Sequence, residues 1–371
     1  MKGQWIGTYQ GDGSSQIIVN IDEVQNHYDI EVNIAPNKKD FPATIAFMLT
    51  ENISEQHELD AEVYAVEPGT GNPCNWDDIK DLYPNLEFYP DKAKVKLKLD
   101  DGKLTIDAIL GTNDEFRCEL KKRPDESESA IDGEKISWSD FRTYLNKLPD
   151  SNHLFRGQQK PWRLRTSFHR RGRYQIRKFL NKDVIELHQR LSAITSHYFD
   201  IDIPNQRGSF LNLLQHHGYP TPLLDWSYSP YVSAFFAFRD WPIGYRGNGD
   251  VRIYIFDNEA WEKDYPQISN LNPTFPHLSI AKFIAVGNTR LVPQQSATTI
   301  TNLDDILDDI EEYVLLREQE KNSKYLRAID ISASEREAAM KDLRFMGITA
   351  GSMFPSLDGV CEELRERNFE S

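Results

Sequence analysis

The chain of 371 residues holds only three cysteines, at positions 74, 118 and 361. An odd number cannot pair off completely, and the wide spacing argues against a disulfide framework or a cysteine-rich zinc site. No apolar run approaches the length of a membrane span, so none is expected. Residues 1–16 hold no apolar stretch of the kind a secretory signal needs, and a reducing cytoplasm is the expected compartment. There is no Gly-x-x-x-x-Gly-Lys-Ser/Thr loop, no Gly-x-Gly-x-x-Gly after a strand, no His-Glu-x-x-His, no Cys-x-x-Cys and no Gly-x-Ser-x-Gly. P-loop chemistry, dinucleotide binding on a doubly wound sheet, common zinc hydrolysis and the nucleophile elbow thereby lose most of their support. Bases are outnumbered too: 43 Lys and Arg face 58 Asp and Glu, a net charge of -15. A protein that coats duplex nucleic acid by releasing counterions would carry the opposite balance, although a local basic patch is compatible with it.

What is present reads as two or three domains by length. The first third is β. Runs at 5–10, 16–21, 27–34, 43–50, 59–66, 93–99, 103–109 and 116–121 alternate or carry β-branched residues, with turn residues between most of them. Asp101-Gly102 between two alternating runs is the clearest hairpin signal. Residues 75–84 read as one or two helical turns. This pattern predicts an antiparallel barrel or sandwich over 1–122. Trp5, Gly7 and Tyr9 share one strand face, an arrangement similar to the opening strand of small ligand-binding barrels; a strand Trp is more often core than platform.

Residues 123–135 are polar and charged, with Pro124 and Gly133, and read as a linker. From 136 to 371 the pattern becomes mixed α/β. Helices are expected at 138–147, 174–198, 210–217 (stopped by Gly218), from Ser229-Pro230 onward, at 304–314, and from a Ser334/Glu337 capping box to Phe345. A terminal helix is expected after Ser356. Strands are expected at 250–256 and 325–331.

Four stretches carry candidate chemistry. Phe155-Arg156-Gly157-Gln158 opens a window, 151–182, with seven Arg, three Lys and no acid. Arg reads phosphate with a planar fork, and Gly157 would let an anion approach the backbone. The window could equally pair with the acidic remainder of the chain. Gln215-His216-His217-Gly218-Tyr219-Pro220-Thr221-Pro222-Leu223-Leu224-Asp225-Trp226-Ser227 leads into an apolar helix. Asp225 is the only acid between Ile203 and Arg239, and a carboxylate in that setting needs partners. Asn288 to Ser296 reads as an edge strand and turn. Gly351 to Gly359 reads as structural, with Phe354-Pro355 as a packing plug.

These stretches, in this order, resemble the FRG-domain family, named for its Phe-Arg-Gly. The resemblance spans about 136–371 and includes Gly347-Ile348 and Phe354-Pro355-x-Leu357-Asp358-Gly359. It implies a bacterial effector in a toxin or phage-defence setting. In such an effector the domain over 1–122 is expected to sense or bind a partner, with a phage or host protein as the candidate. The motif order is in turn similar to that of ADP-ribosyltransferases. That likeness implies NAD as substrate without a metal, Arg156-Gly157 as the dinucleotide-holding motif and Asp225-Trp226-Ser227 as the second motif. Gln294-Gln295 then stands where a Glu would be expected. On that reading Arg156, Asp225 and Gln295 are the catalytic candidates. Arg156, Gly157, Gln158, Arg165, His217, Tyr219, Thr221, Trp226 and Ser227 are the NAD-binding candidates, and the acceptor is a protein or nucleic acid. Gln295 could only hydrogen-bond. The alternatives are a non-catalytic nucleotide or RNA-end binder using Arg163 and Arg165, and a protein-interaction scaffold.

Overall fold

The computed structural model describes the chain except residues 10–14, 38–39, 52–56, 113, 123–127, 150–151, 284–285, 306–324 and 370–371. Period-two alternation writes the first sheet. In β7 (Lys92–Asp100) the lysines at 92, 94, 96 and 98 face solvent while Ala93, Val95 and Leu97 are buried. The other strands are β1 (Gly3–Tyr9), β2 (Ser15–Val24), β3 (His27–Ala35), β4 (Thr44–Thr50), β5 (His57–Val66), β8 (Lys103–Leu110) and β9 (Glu115–Lys122), with a two-residue β6 (Pro73–Cys74) appended to β5. All pair antiparallel in the order β4-β3-β2-β1-β9-β8-β7-β5, and β4 pairs with β5, so the sheet closes as a barrel of eight strands. A barrel, not an open sandwich, is the outcome. The β7–β8 turn has positive φ at Asp101 and Gly102, as a two-residue hairpin demands.

The second sheet has the order β10-β16-β13-β11-β12-β15-β14. It comprises β10 (Glu134–Lys135), β11 (His153–Gln158), β12 (Leu223–Ser227), β13 (Asp250–Asp257), β14 (Leu278–Ala281), β15 (Ser296–Thr301) and β16 (Leu326–Ser332). β10 and β16 pair in parallel and the other described pairings are antiparallel, so the sheet is mixed. The fold is thus α+β: a closed antiparallel barrel followed by a mixed sheet with helices.

The helices are α1 (Trp76–Ile79), α2 (Trp138–Leu145), α3 (Ser167–Arg170), α4 (Ile176–Lys178), α5 (Val184–Leu191), α6 (Pro204–His216), α7 (Pro230–Phe238), α8 (Asn258–Asp264), α9 (Arg336–Phe345), α10 (Ala350–Met353) and α11 (Leu357–Phe369). Several differ from expectation. The helix expected over 174–198 is α4 and α5 joined by a wide π turn at Phe179–Asp183, and it ends at Leu191. α6 starts six residues early, with Pro204 in its first turn. The expected Ser334/Glu337 box is replaced by a 3-10 turn that Ser332 caps. The stretch 290–292 is a turn, because Asn288 Oδ1 accepts from the Arg290 amide at 3.0 Å. Most of the helix expected at 304–314 lies outside the described residues.

The outer face of β1–β3 is buried although it is polar: Gln4, Asn20, Asp22, Glu31 and Asn33 are each 1% exposed. They meet the mixed-sheet half. Arg173 pairs with Asp22 (3.1 Å), Lys178 with Asp29, and Arg177 with Glu31 (3.9 Å). Gln4 donates to the Asn302 carbonyl (2.7 Å) and accepts from the Asp304 amide (2.9 Å), beside an apolar contact of Ile6, Ile18 and Leu303. Buried polar groups persist only when matched in this way. Three of the ten basic residues of the window, Arg173, Arg177 and Lys178, therefore dock the barrel.

Candidate functional site

β11 and β12 are registered at a single pair, Phe155 opposite Ser227. Past it a cavity of about 380 Å³ is walled by both strands, the end of α6, α7 and the segment 290–296. A second cavity of about 180 Å³ shares Arg156, Arg170, Gln215 and Asp225 with it. The gap is positioned by tight packing on the other side of β11. A Cβ at Gly157 would overlap the main-chain carbonyl of Ser233, so only glycine lets β11 lie this close to α7.

Arg156 crosses the gap. Its Nη1 donates to the Asp225 main-chain carbonyl, and its Nε is buried with no partner among the described residues. Burial, reinforced by the charge of Arg170, pushes its pKa down to about 10. It still carries its proton at neutral pH, as a cation short of an anion. Burial also lowers the pKa of Arg170, which no side chain among the described residues hydrogen-bonds. Arg290 forms a third side of the cavity; its Nη1 donates to the His216 carbonyl (3.1 Å) and its guanidinium lies 5.2 Å from the Phe354 ring centre.

Asp225 opposes them with one oxygen engaged and one bare. Oδ2 accepts from Gln215 Nε2 at 2.5 Å, and Oδ1 is buried with no partner among the described residues. The Gln215 amide is oriented from behind, because Thr221 Oγ1 donates to its Oε1. Arg156 and Asp225 thus both line one cavity, and each has a buried polar atom with no partner among the described residues.

The sequence candidates divide. Gly157 and Gln158 line the cavity beside Arg156 and Asp225, and Ser227 reaches its wall while donating to the Gln294 carbonyl at 2.7 Å. Tyr219 borders the smaller cavity. Thr221 is buried behind Gln215 and lines neither. Trp226 borders the cavity, but its indole is held in the core against Phe256 (centroids 5.6 Å), with Nε1 donating to Thr299 Oγ1 at 3.0 Å. His217 caps α6, exposed, and its neighbour His216 lines the cavity instead. Arg165 lies outside, paired with Asp304 at 2.6 Å. Gln295 also lies outside, exposed and with φ 45°; Gln294 lines the wall, its amide donating to the Met353 carbonyl at 2.9 Å. The sequence reading passed over Gln215, Arg170 and Arg290 as site residues. The six-residue spacing of Gln215 and Thr221 across the Gly218 stop was the available signal for the first.

Residues 151–242 match the family model of the FRG domain. The chain carries an FRG domain. The match spans β11 to α7 and so holds Arg156, Arg170, Gln215 and Asp225, while Arg290 and Phe354 reach the cavity from beyond it. No curated protein and no solved structure matches the chain. Among the described residues no group of three or more His, Cys, Asp or Glu could hold a metal ion, and no helix is long and apolar enough to cross a membrane.

Proposed function

We propose that the FRG domain binds NAD in the Arg156–Asp225 cavity and breaks its nicotinamide–ribose bond, as an ADP-ribosyltransferase-like effector acting in the cytoplasm in toxin or phage defence. The observation that carries this reading is that Arg156 and Asp225 line one cavity and each has a buried polar atom unmatched among the described residues. A pyrophosphate between Arg156 and Arg170 would relieve the repulsion between two poorly solvated cations. Heterolysis sends the bonding pair to nicotinamide and leaves positive charge on the ribose. A fixed, partly desolvated carboxylate such as Asp225 opposes that charge. The acceptor, a protein, a nucleic acid or water, then supplies the electron pair of the new bond and loses its proton.

Asp225 and Asp240 are the carboxylates on the described wall, and Asp240 lies 3.8 Å from Arg239. With no Glu there, hydrolysis or transfer to an already nucleophilic acceptor is favoured over transfer that needs a second base. A nucleic-acid cradle built on Arg163 and Arg165 has less support, since both are in ion pairs, with Asp305 and Asp304.

Calorimetry of the full chain with NAD, alongside chromatography of released nicotinamide, tests the reading. Arg156→Lys should weaken NAD binding at least tenfold, because one ammonium cannot fork a pyrophosphate. Asp225→Asn should bind NAD within a few-fold of wild type and release no nicotinamide. Wild-type protein that neither binds NAD nor releases nicotinamide overturns it.

A further inference from the structure

We propose that the barrel lumen is a binding site for a small, uncharged, mainly apolar molecule carrying at least one hydrogen-bonding group. An eight-stranded barrel is just wide enough for its own side chains to fill or for one small ligand, and protein interiors rarely leave large voids. Here one end is filled by Trp5, Leu97, Leu104 and Leu120. Toward the other end the inward positions of β4, β5, β7 and β8 are alanines: 46, 61, 93 and 108, with Ala61 directly opposite Ala93. The missing side chains leave a cavity of about 570 Å³, well within the range of small-molecule sites. The rings that could plug it stay at the mouth, where Phe41 is 41% and Phe88 56% exposed.

The wall also states what the ligand carries. No Lys or Arg is among the described lining residues, since the lysines of β7 all point outward. Asp114 and Glu115 stand at the lining instead, so a carboxylate or phosphate would be repelled and would lose its water without compensation. Two polar groups face in from the rim. Thr112 Oγ1 is buried with no partner among the described residues. The Tyr89 hydroxyl pairs with Thr44 Oγ1 at 2.6 Å and donates to the Tyr64 carbonyl at 3.3 Å, and burial raises its pKa, so it remains neutral. A hydroxyl or carbonyl on the ligand would satisfy Thr112.

Titration of the full chain with Nile red, a neutral apolar dye, tests the site by fluorescence. Saturable one-to-one binding is expected, at least tenfold weaker in Ala108→Phe, with Ala46→Leu as the milder filling variant should the first not fold. Dodecan-1-ol should displace the dye at concentrations at least tenfold lower than laurate of equal chain length. Absence of saturable binding, or a folded filling variant that binds as wild type, overturns the site. Equal displacement by laurate overturns its preference for uncharged ligands.

Discussion

Arg173 Nε donates to Asp22 Oδ2 at 3.1 Å, from the FRG domain to the outer face of the barrel. The Asp22 carboxylate is 1% exposed and also accepts from the Tyr174 amide at 2.6 Å. Burial raises its pKa, while the Tyr174 amide and Arg173 pull it back down. A carboxylate held in this balance joins the two sheets.

Asp22→Ala should therefore destabilise the chain by about 3 kcal/mol, because it strands a buried amide and removes one partner of a buried ion pair. Arg173 keeps Asp183, 3.0 Å away, which limits the loss. Urea melts read the change. A variant as stable as wild type would mean that the junction is wet and adaptable.

Gly157→Ala should be worse than its single methyl suggests. The obstacle is main chain, the Ser233 carbonyl, so no rotamer change makes room and β11 must move off α7. A loss of about 3 kcal/mol is expected, seen as a lowered melting temperature. The proposed NAD binding should fall with it, since β11 carries Arg156. Melting unchanged from wild type would show that the two elements separate freely.

Acid should weaken the fold through His169. Its ring is fully buried, with Nδ1 2.7 Å from Thr166 Oγ1, and burial pushes its pKa from 6.5 down to about 4. Between those two values the unfolded chain binds more protons than the folded one. The stability is complete above pH 6.5 and is lost as pH falls toward 4, by about 3 kcal/mol. His277, pushed down to about 3 by burial, acts in the same direction. His169→Gln should flatten the dependence of melting temperature on pH between 6.5 and 4; an unaltered slope would assign it to other groups.

All eight barrel strands were legible because each puts an alternating face inward and most end in turn residues. The mixed sheet was less so. β14 and β15, Leu-Ser-Ile-Ala and Ser-Ala-Thr-Thr-Ile-Thr, are short and polar enough to read as loop. α6 begins without a capping side chain at Ile203 and contains Gly208, so only its apolar second half carried a helical signal. At the site, Arg156 and Asp225 stood out by local contrast, a base beside glycine and a lone acid in an apolar run. Gln295 was misplaced by one residue relative to the wall, because the left-handed turn there cannot be read from its side chains. Arg163, Arg165, Arg173 and Arg177 each have an acidic partner more than 130 positions away, in 22–31 or 304–305, and no local pattern announces such pairing.

β2 and β3 are covered twice, by the lumen on one side and the arginine-rich surface of the FRG domain on the other. A fragment cut after residue 122 would therefore shed the counter-charges of Arg173, Arg177 and Lys178 and lay Leu303 bare. The fragment would keep a slight excess of acid overall, yet its bared patch would be locally positive and adhesive, so that any nucleic-acid affinity seen in such a truncation would be created by the cut.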